Sequence, residues 1–409
     1  MTAPPITPAE LAAITRKLTT RLASPRHHPG EEPGKAQSLA TGSAGIALLH
    51  IEHARADTGS WRTAHAWIKH ATAGDISAAD TTGLFLGAPA IAFALHAAAG
   101  SSARYRDALA TLDKHVHHLA HRRTQAAQER IRQGQLPDFH EYDIFFGLTG
   151  IGAHLLRRDP GGSALERVLT YLVALTQPRR SDDQFLPGWW VSHDPHRNPT
   201  PGGHANLGAA HGITGPLMLL STATRRGITV DGQHDAITTI LTWLDTWTQH
   251  DDGGPWWPET ISRTDLHTGQ SSQRAPTRPS WCYGTPGITR ALQLAALATG
   301  DTHRQQAAEQ ALATCLSDPT QLARLTDPSL CHGWAGVYQT TWRAVQDAIT
   351  PTLHPLLPNL AAALAHHTDH NVGNGTGFLD GDAGTALALT TAACNAAPTS
   401  GWDACLLID

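Results

Sequence analysis

A short pattern, Gly-x-x-Gly, recurs along the chain and constrains the fold more than any other feature. It stands at Gly42–Gly45, Gly147–Gly150, Gly212–Gly215, Gly284–Gly287, Gly333–Gly336 and Gly381–Gly384. A seventh copy, Gly87-Ala-Pro-Ala90, has alanine in the second place. The intervals between first glycines run from 45 to 72 residues. Each copy opens a nearly all-apolar stretch such as GITRALQLAALA or GTALALTTAA. Self-similarity at this period is the mark of a repeat architecture.

Between the copies lie stretches of a second kind: Ala9–Ala23, Trp61–Ala73, Tyr105–Arg132, Ala164–Thr176, His234–Thr248, His303–Leu316 and Leu353–His367. Their apolar residues fall three and four apart, with a polar remainder. An amphipathic helix keeps one face in water, whereas an all-apolar helix is covered on every side. The alternation predicts an all-α fold, an α/α toroid. In it a double ring sets about seven inner helices within about seven outer ones. The glycine pairs allow close approach of the chain at each inner turn. Length alone would allow two to four domains. The repeat instead predicts one closed domain over 1–409.

Part of the stretch before Asp143 breaks the pattern, as do two longer connections, near 179–206 and 251–279. They carry the aromatic runs Phe185-Leu-Pro-Gly-Trp-Trp-Val191 and Gly253-Gly-Pro-Trp-Trp-Pro258. They read as projecting loops with short strands, placed either to bind a partner or to pack over a helix end.

Composition excludes several classes. Charged residues are 16 % and apolar ones 41 %, too little charge and too much apolar content for disorder. The net charge of −5 argues against a nucleic-acid partner. No apolar stretch reaches the ~18 residues of a membrane span. The opening MTAPPITPAELAAITRKL lacks the layout of a secretory signal. A cytoplasmic protein is expected. The five cysteines all lie at or beyond Cys282, an odd number that suggests no disulfide framework.

The chemistry gathers at one repeat position. The two residues before the first glycine are Ala210-His211, Cys282-Tyr283, Cys331-His332 and Leu379-Asp380 in the last four repeats. Equivalent positions in a ring converge on one end of its axis. Two thiols and two imidazoles thus meet there. Buried cysteines can be plain small hydrophobes, but Cys282, Cys331 and His332 together match zinc, one ion per chain. Three protein ligands leave a fourth position for water or substrate, the catalytic pattern. His211 is the remaining imidazole and is suited to moving a proton near pH 7. Asp143, four residues before Gly147, is placed to orient it, or to cap its own turn. Cys315, Cys394 and Cys405 share no repeat position.

Trp281-Cys-Tyr-Gly-x-Pro-Gly287, Cys331-His-Gly333, Ala210-His-Gly212 and Gly377-Phe-Leu-Asp-Gly-x-x-Gly384 resemble the lanthionine synthetase C-like family, the lanthipeptide cyclases. The resemblance runs from Leu39 to Leu389 and, in a chain with no dehydratase or kinase portion, implies the stand-alone class I type. It implies a zinc site on the toroid axis held by Cys282, Cys331 and His332. It also implies His211 as acid/base, Asp143 beside it, and roles for Arg278 and Tyr283. The implied reaction is intramolecular Michael-type addition of cysteine thiols to dehydroalanine or dehydrobutyrine, giving thioether rings. The partner would be a dehydrated precursor peptide with its leader, and contact with a dehydratase would follow. A glutathione-adding protein or a non-catalytic zinc scaffold would carry the same zinc motif. A carbohydrate-active toroid would use Asp143 and Asp380, leaving the Cys-Cys-His set unexplained. Ala90 and Pro216 depart from the repeat without touching these residues.

Overall fold

A computed structural model of the protein describes residues 6–25, 34–181, 184–370 and 375–409. A helix follows each glycine motif: Ser43–Arg55, Ala88–Ala99, Leu148–Arg158, Thr214–Arg225, Thr285–Thr299, Trp334–Asp347 and Asp382–Cys394. Each touches the next, and the seventh touches the first, so the ring closes. Around them lie Pro8–Arg21, Trp61–Ala71, Arg106–Arg132, Ser163–Leu175, Gln233–Thr246, Thr302–Ser317 and Leu357–His370. Every outer helix leans on an inner one, and Pro8–Arg21 packs on the last of them, Asp382–Cys394. The architecture is the α/α toroid.

Residue patterning accounts for the two rings. Inner helix Ala88–Ala99 buries every residue but His96. Outer helix Trp61–Ala71 buries only Ala64, Trp67, Ile68 and Ala71, one stripe at helical spacing. The apolar segment from Leu84 enters its helix only at Ala88, because Gly83–Gly87 form the turn.

The second glycine of the motif is a packing requirement. It sits in the first helical turn, directly under the carbonyl of the residue six places earlier. A Cβ at Gly45, Gly150, Gly287, Gly336 or Gly384 would stand 1.8 to 2.0 Å from that oxygen. Repeat two carries Ala90 at this place, in a turn whose first glycine takes φ +73. Pro216 lies in the first turn of its helix, where a missing N–H costs no intrahelical bond.

A belt of backbone hydrogen bonds joins the turns. Leu39 N–H donates to Phe85 O (3.0 Å), Phe85 to Phe145 (3.2 Å), Ile144 to Ala210 (3.1 Å) and Ala209 to Cys282 (2.9 Å). Cys282 donates to Cys331 (3.3 Å), Cys331 to Leu379 (3.0 Å), and Leu379 back to Ala40 (3.0 Å). The belt therefore runs through the repeat position that holds both site cysteines.

The two long connections meet each other. Strand Pro199–Asn206 pairs antiparallel with Val191–His193 on one side and Thr260–Ser262 on the other. Two further hairpins join Arg179–Ser181 to Gln184–Leu186 and Gln249–Asp251 to Gly254–Trp256. Residues 182–183 of the first connection lie outside the described residues. Trp189, Trp190, Trp256 and Trp257 are buried, so the tryptophans of both runs pack, whereas Phe185 at the head of the first run is 69 % exposed.

Candidate metal centre

The belt brings Cys282 and Cys331 side by side, and His332 follows directly. One ligand atom from each of the three lies within 4.8 Å of the others. Among the described residues this is the sole group of three or more such side chains. Cys282 is buried, while Cys331 and His332 are half-buried, which leaves an open side.

Two soft sulfurs and an imidazole are a donor set for zinc or a similar borderline ion, not for calcium or magnesium. The surroundings fit as well. His332 has a carboxylate 3.7 Å from each ring nitrogen: Asp327 beside Nε2 and Asp380 beside Nδ1. Whichever nitrogen binds a metal, the other faces an anion that orients the ring. Cys282 is held below the ordinary thiol range by its hydrogen bond with Cys331, with help from the Ser280 hydroxyl and the Arg278 charge. Cys331 is pushed up by the same hydrogen bond and by burial. By contrast, Cys315 is raised to about 12, chiefly by burial. Cys405 is also buried and raised, and Cys394 is exposed.

His211 stands at the same level of the belt. Its Nδ1 lies 2.7 Å from Asp143 Oδ2, and Asp143 is fully buried. The other oxygen, Asp143 Oδ1, accepts from the N–H groups of Phe146 and Gly147, both at 2.7 Å. Asp143 thus caps its turn with one oxygen and meets the imidazole with the other. Ser38, Ser280 and Ser329 cap the corresponding turns with hydroxyls. Only a carboxylate has a second oxygen to spare.

Tyr283 places its ring 6.5 Å from that of His211, and its hydroxyl accepts from Asn206 Nδ2 at 2.8 Å. Burial raises the tyrosine far above its usual range, so it stays protonated. Arg278 comes near enough for its charge to act on both cysteines, and its Nε is buried with no hydrogen-bond partner. The structure therefore gathers all seven expected residues at one end of the ring.

Sequence reasoning missed Asn206, Ser280 and Asp327. Asn206 lies at the end of an inserted strand, so no repeat register pointed to it. Ser280 had a usable signal, since it occupies the position of Asp143 in its own repeat.

The sequence profile of lanthionine synthetase C-like proteins matches residues 35–407. The chain belongs to the lanthionine synthetase C-like family. It is 22 % identical over 324 residues to the nisin biosynthesis protein NisC of Lactococcus lactis subsp. lactis, covering 76 % of this chain and 73 % of that protein. The solved structure of nisin cyclase superposes with a TM-score of 0.77 at 20 % identity, over 98 % of this chain and 97 % of that one. This lanthionine synthetase C-like chain thus shares the fold of nisin cyclase over nearly all its described residues. No helix among its described residues is long and apolar enough to cross a membrane.

Proposed function

We propose that this lanthionine synthetase C-like protein is a zinc-dependent lanthipeptide cyclase. One observation carries the reading: Cys282, Cys331 and His332 converge beside an imidazole that a buried carboxylate holds. The names of its relatives, a nisin biosynthesis protein and a nisin cyclase, agree with it.

Cys282, Cys331 and His332 would hold one zinc ion, which when bound supplies Lewis acidity that favours the thiolate form of a substrate cysteine. The chain's own groups do the rest. Asp143 fixes the Nδ1–H tautomer of His211, so Nε2 presents a lone pair. His211 takes the proton from the substrate thiol. The sulfur then bonds to the β-carbon of a dehydroalanine or dehydrobutyrine, the C=C π bond opens, and charge develops on the carbonyl side of the α-carbon. Arg278 offers a buried cationic N–H toward that charge. His211 returns its proton to the α-carbon, so one S–C bond forms and nothing is oxidised. Tyr283, kept protonated and anchored by Asn206, walls the imidazole on its open side.

The substrate would be a dehydrated precursor peptide with its leader, handed on by a dehydratase in the cytoplasm. The paired connections 179–206 and 251–279 offer a surface for it. Incubation with a dehydrated leader-bearing peptide, and separately with that peptide plus glutathione, tests the reading. A cyclase lowers the thiol count at constant peptide mass in both. A protein that instead adds the mass of glutathione, or that changes nothing, contradicts it.

A further inference from the structure

The centre of the toroid is filled by residues 399–409, and this segment reaches the metal centre from below. Ser400 and Trp402 through Ile408 are all buried. Near the lower end, Thr399 and Ser400 donate to the Glu52 carboxylate, and Asp403 accepts from Gln339 (2.7 Å) and from two nitrogens of Arg343 (2.7 and 2.8 Å). The Trp402 ring meets the edge of Phe378 at 5.7 Å. The chain then turns at Leu407, a non-glycine residue at φ +56, and runs back. Ile408 O accepts from Arg290, and the Asp409 side chain pairs with Arg157 and Arg226. The segment is thus a buried turn gripped by five inner helices or their ends.

Its tip touches one group of the site. Trp281 Nε1–H donates to Leu406 O at 3.1 Å, and Trp281 is fully buried. Trp281 precedes Cys282. Its ring also packs edge-on against Phe145 at 6.0 Å, and Phe145 packs against His211 at 5.0 Å. Trp281 is thus joined to Cys282 along the chain and to His211 through Phe145, and the plug fixes its indole through a directed hydrogen bond. The turn at Leu407 aims the carbonyl; left-handed backbone at a leucine persists only where surrounding contacts enforce it.

We infer that residues 399–409 form the floor of the metal centre, and that Trp281, held by the Leu406 carbonyl, is a positioning residue that sets Cys282 relative to His211. The inference rests on the reading of the site given above. It explains why a segment with no catalytic group is anchored by several buried ion pairs and hydrogen bonds.

The test is Trp281→Phe, which removes the N–H and keeps most of the ring. Full-length protein is compared with wild type well below both unfolding midpoints. The readouts are zinc affinity by competition with a chelator, the absorption of a cobalt(II)-loaded sample, and kcat and KM with dehydrated peptide. Loss of an outer partner of a metal site costs about 10–100-fold in affinity or activity. The expected result is a loss in that range in zinc affinity and in kcat, a shifted cobalt spectrum, and little change in KM. Asp403→Asn, far from the metal, loosens the plug at its base and should move the same readouts in the same direction. If both variants only lower the unfolding midpoint, with affinity and spectrum as in wild type, the segment is merely structural and the inference fails. A wild-type protein that takes up no zinc would instead overturn the reading of the site itself.

Discussion

His211 Nδ1 and Asp143 Oδ2 stand 2.7 Å apart, with Asp143 Oδ1 tied into the backbone of its own turn. Asp143→Asn keeps an oxygen for the cap but presents an amide N–H to the ring. The imidazole must then switch tautomer and turn an N–H toward the substrate, so it no longer accepts a proton. Ring closure should slow by about 10²–10⁴ while zinc content and helical signal stay unchanged. His211→Asn should do the same. A rate within threefold of wild type for either variant would remove His211 as proton carrier.

Metal loss should follow the sulfur ligands. Cys331→Ala and Cys282→Ala are expected to lose zinc and cyclisation together, since two remaining ligands hold the ion poorly. Atomic absorption on purified protein should give about one zinc per chain for wild type. Either variant retaining full zinc and full activity would show that the ligands had been assigned wrongly.

The glycine repeat supports the site as well as the fold. At Gly336 an added Cβ would stand 2.0 Å from Leu330 O, next to Cys331. Gly336→Ala should therefore cost about 1–3 kcal/mol of stability, as overpacking does, and should weaken zinc binding. Ala90→Gly, at the one repeat that tolerates a side chain, should cost only about 1 kcal/mol of helix propensity and leave zinc binding alone. Equal effects of the two changes on zinc affinity would contradict this account of the turn.

His154 gives the pH dependence of stability a definite sign. It is fully buried on an inner helix, neither ring nitrogen has a hydrogen-bond partner, and burial lowers its pKa to about 3. The unfolded chain takes a proton near pH 6.5 and the folded one does not. Stability from this group is complete above that pH and declines as pH falls toward 3. His154→Leu should remove that part of the decline. Relative to its standing at pH 8, the variant should gain about 2 kcal/mol on wild type at pH 5. Parallel stability curves for the two proteins would rule this out.

Much of this was legible in the residues, for identifiable reasons. The glycine pairs mark places where one turn presses on the next, so their register also fixed which residues share the belt. Cys282, Cys331, His332 and His211 could be aligned for that reason. Asp143 could be placed, but not its double use, because the choice of oxygen depends on the turn geometry. Asn206 and the plug at 399–409 were hidden: both meet the site through tertiary contacts that no repeat position encodes. The aromatic runs left binding and packing both open; their tryptophans pack, while Phe185 stays exposed.

On the proposed function, three side chains from adjacent turns hold a metal that activates a substrate thiol. Counting free thiols on a dehydrated precursor peptide tests it most directly, using zinc-loaded protein, chelator-stripped protein, and stripped protein given zinc again. Thiols should fall at constant peptide mass with the first and third samples only. An equal fall with the stripped protein, or no fall with any of them, would contradict it.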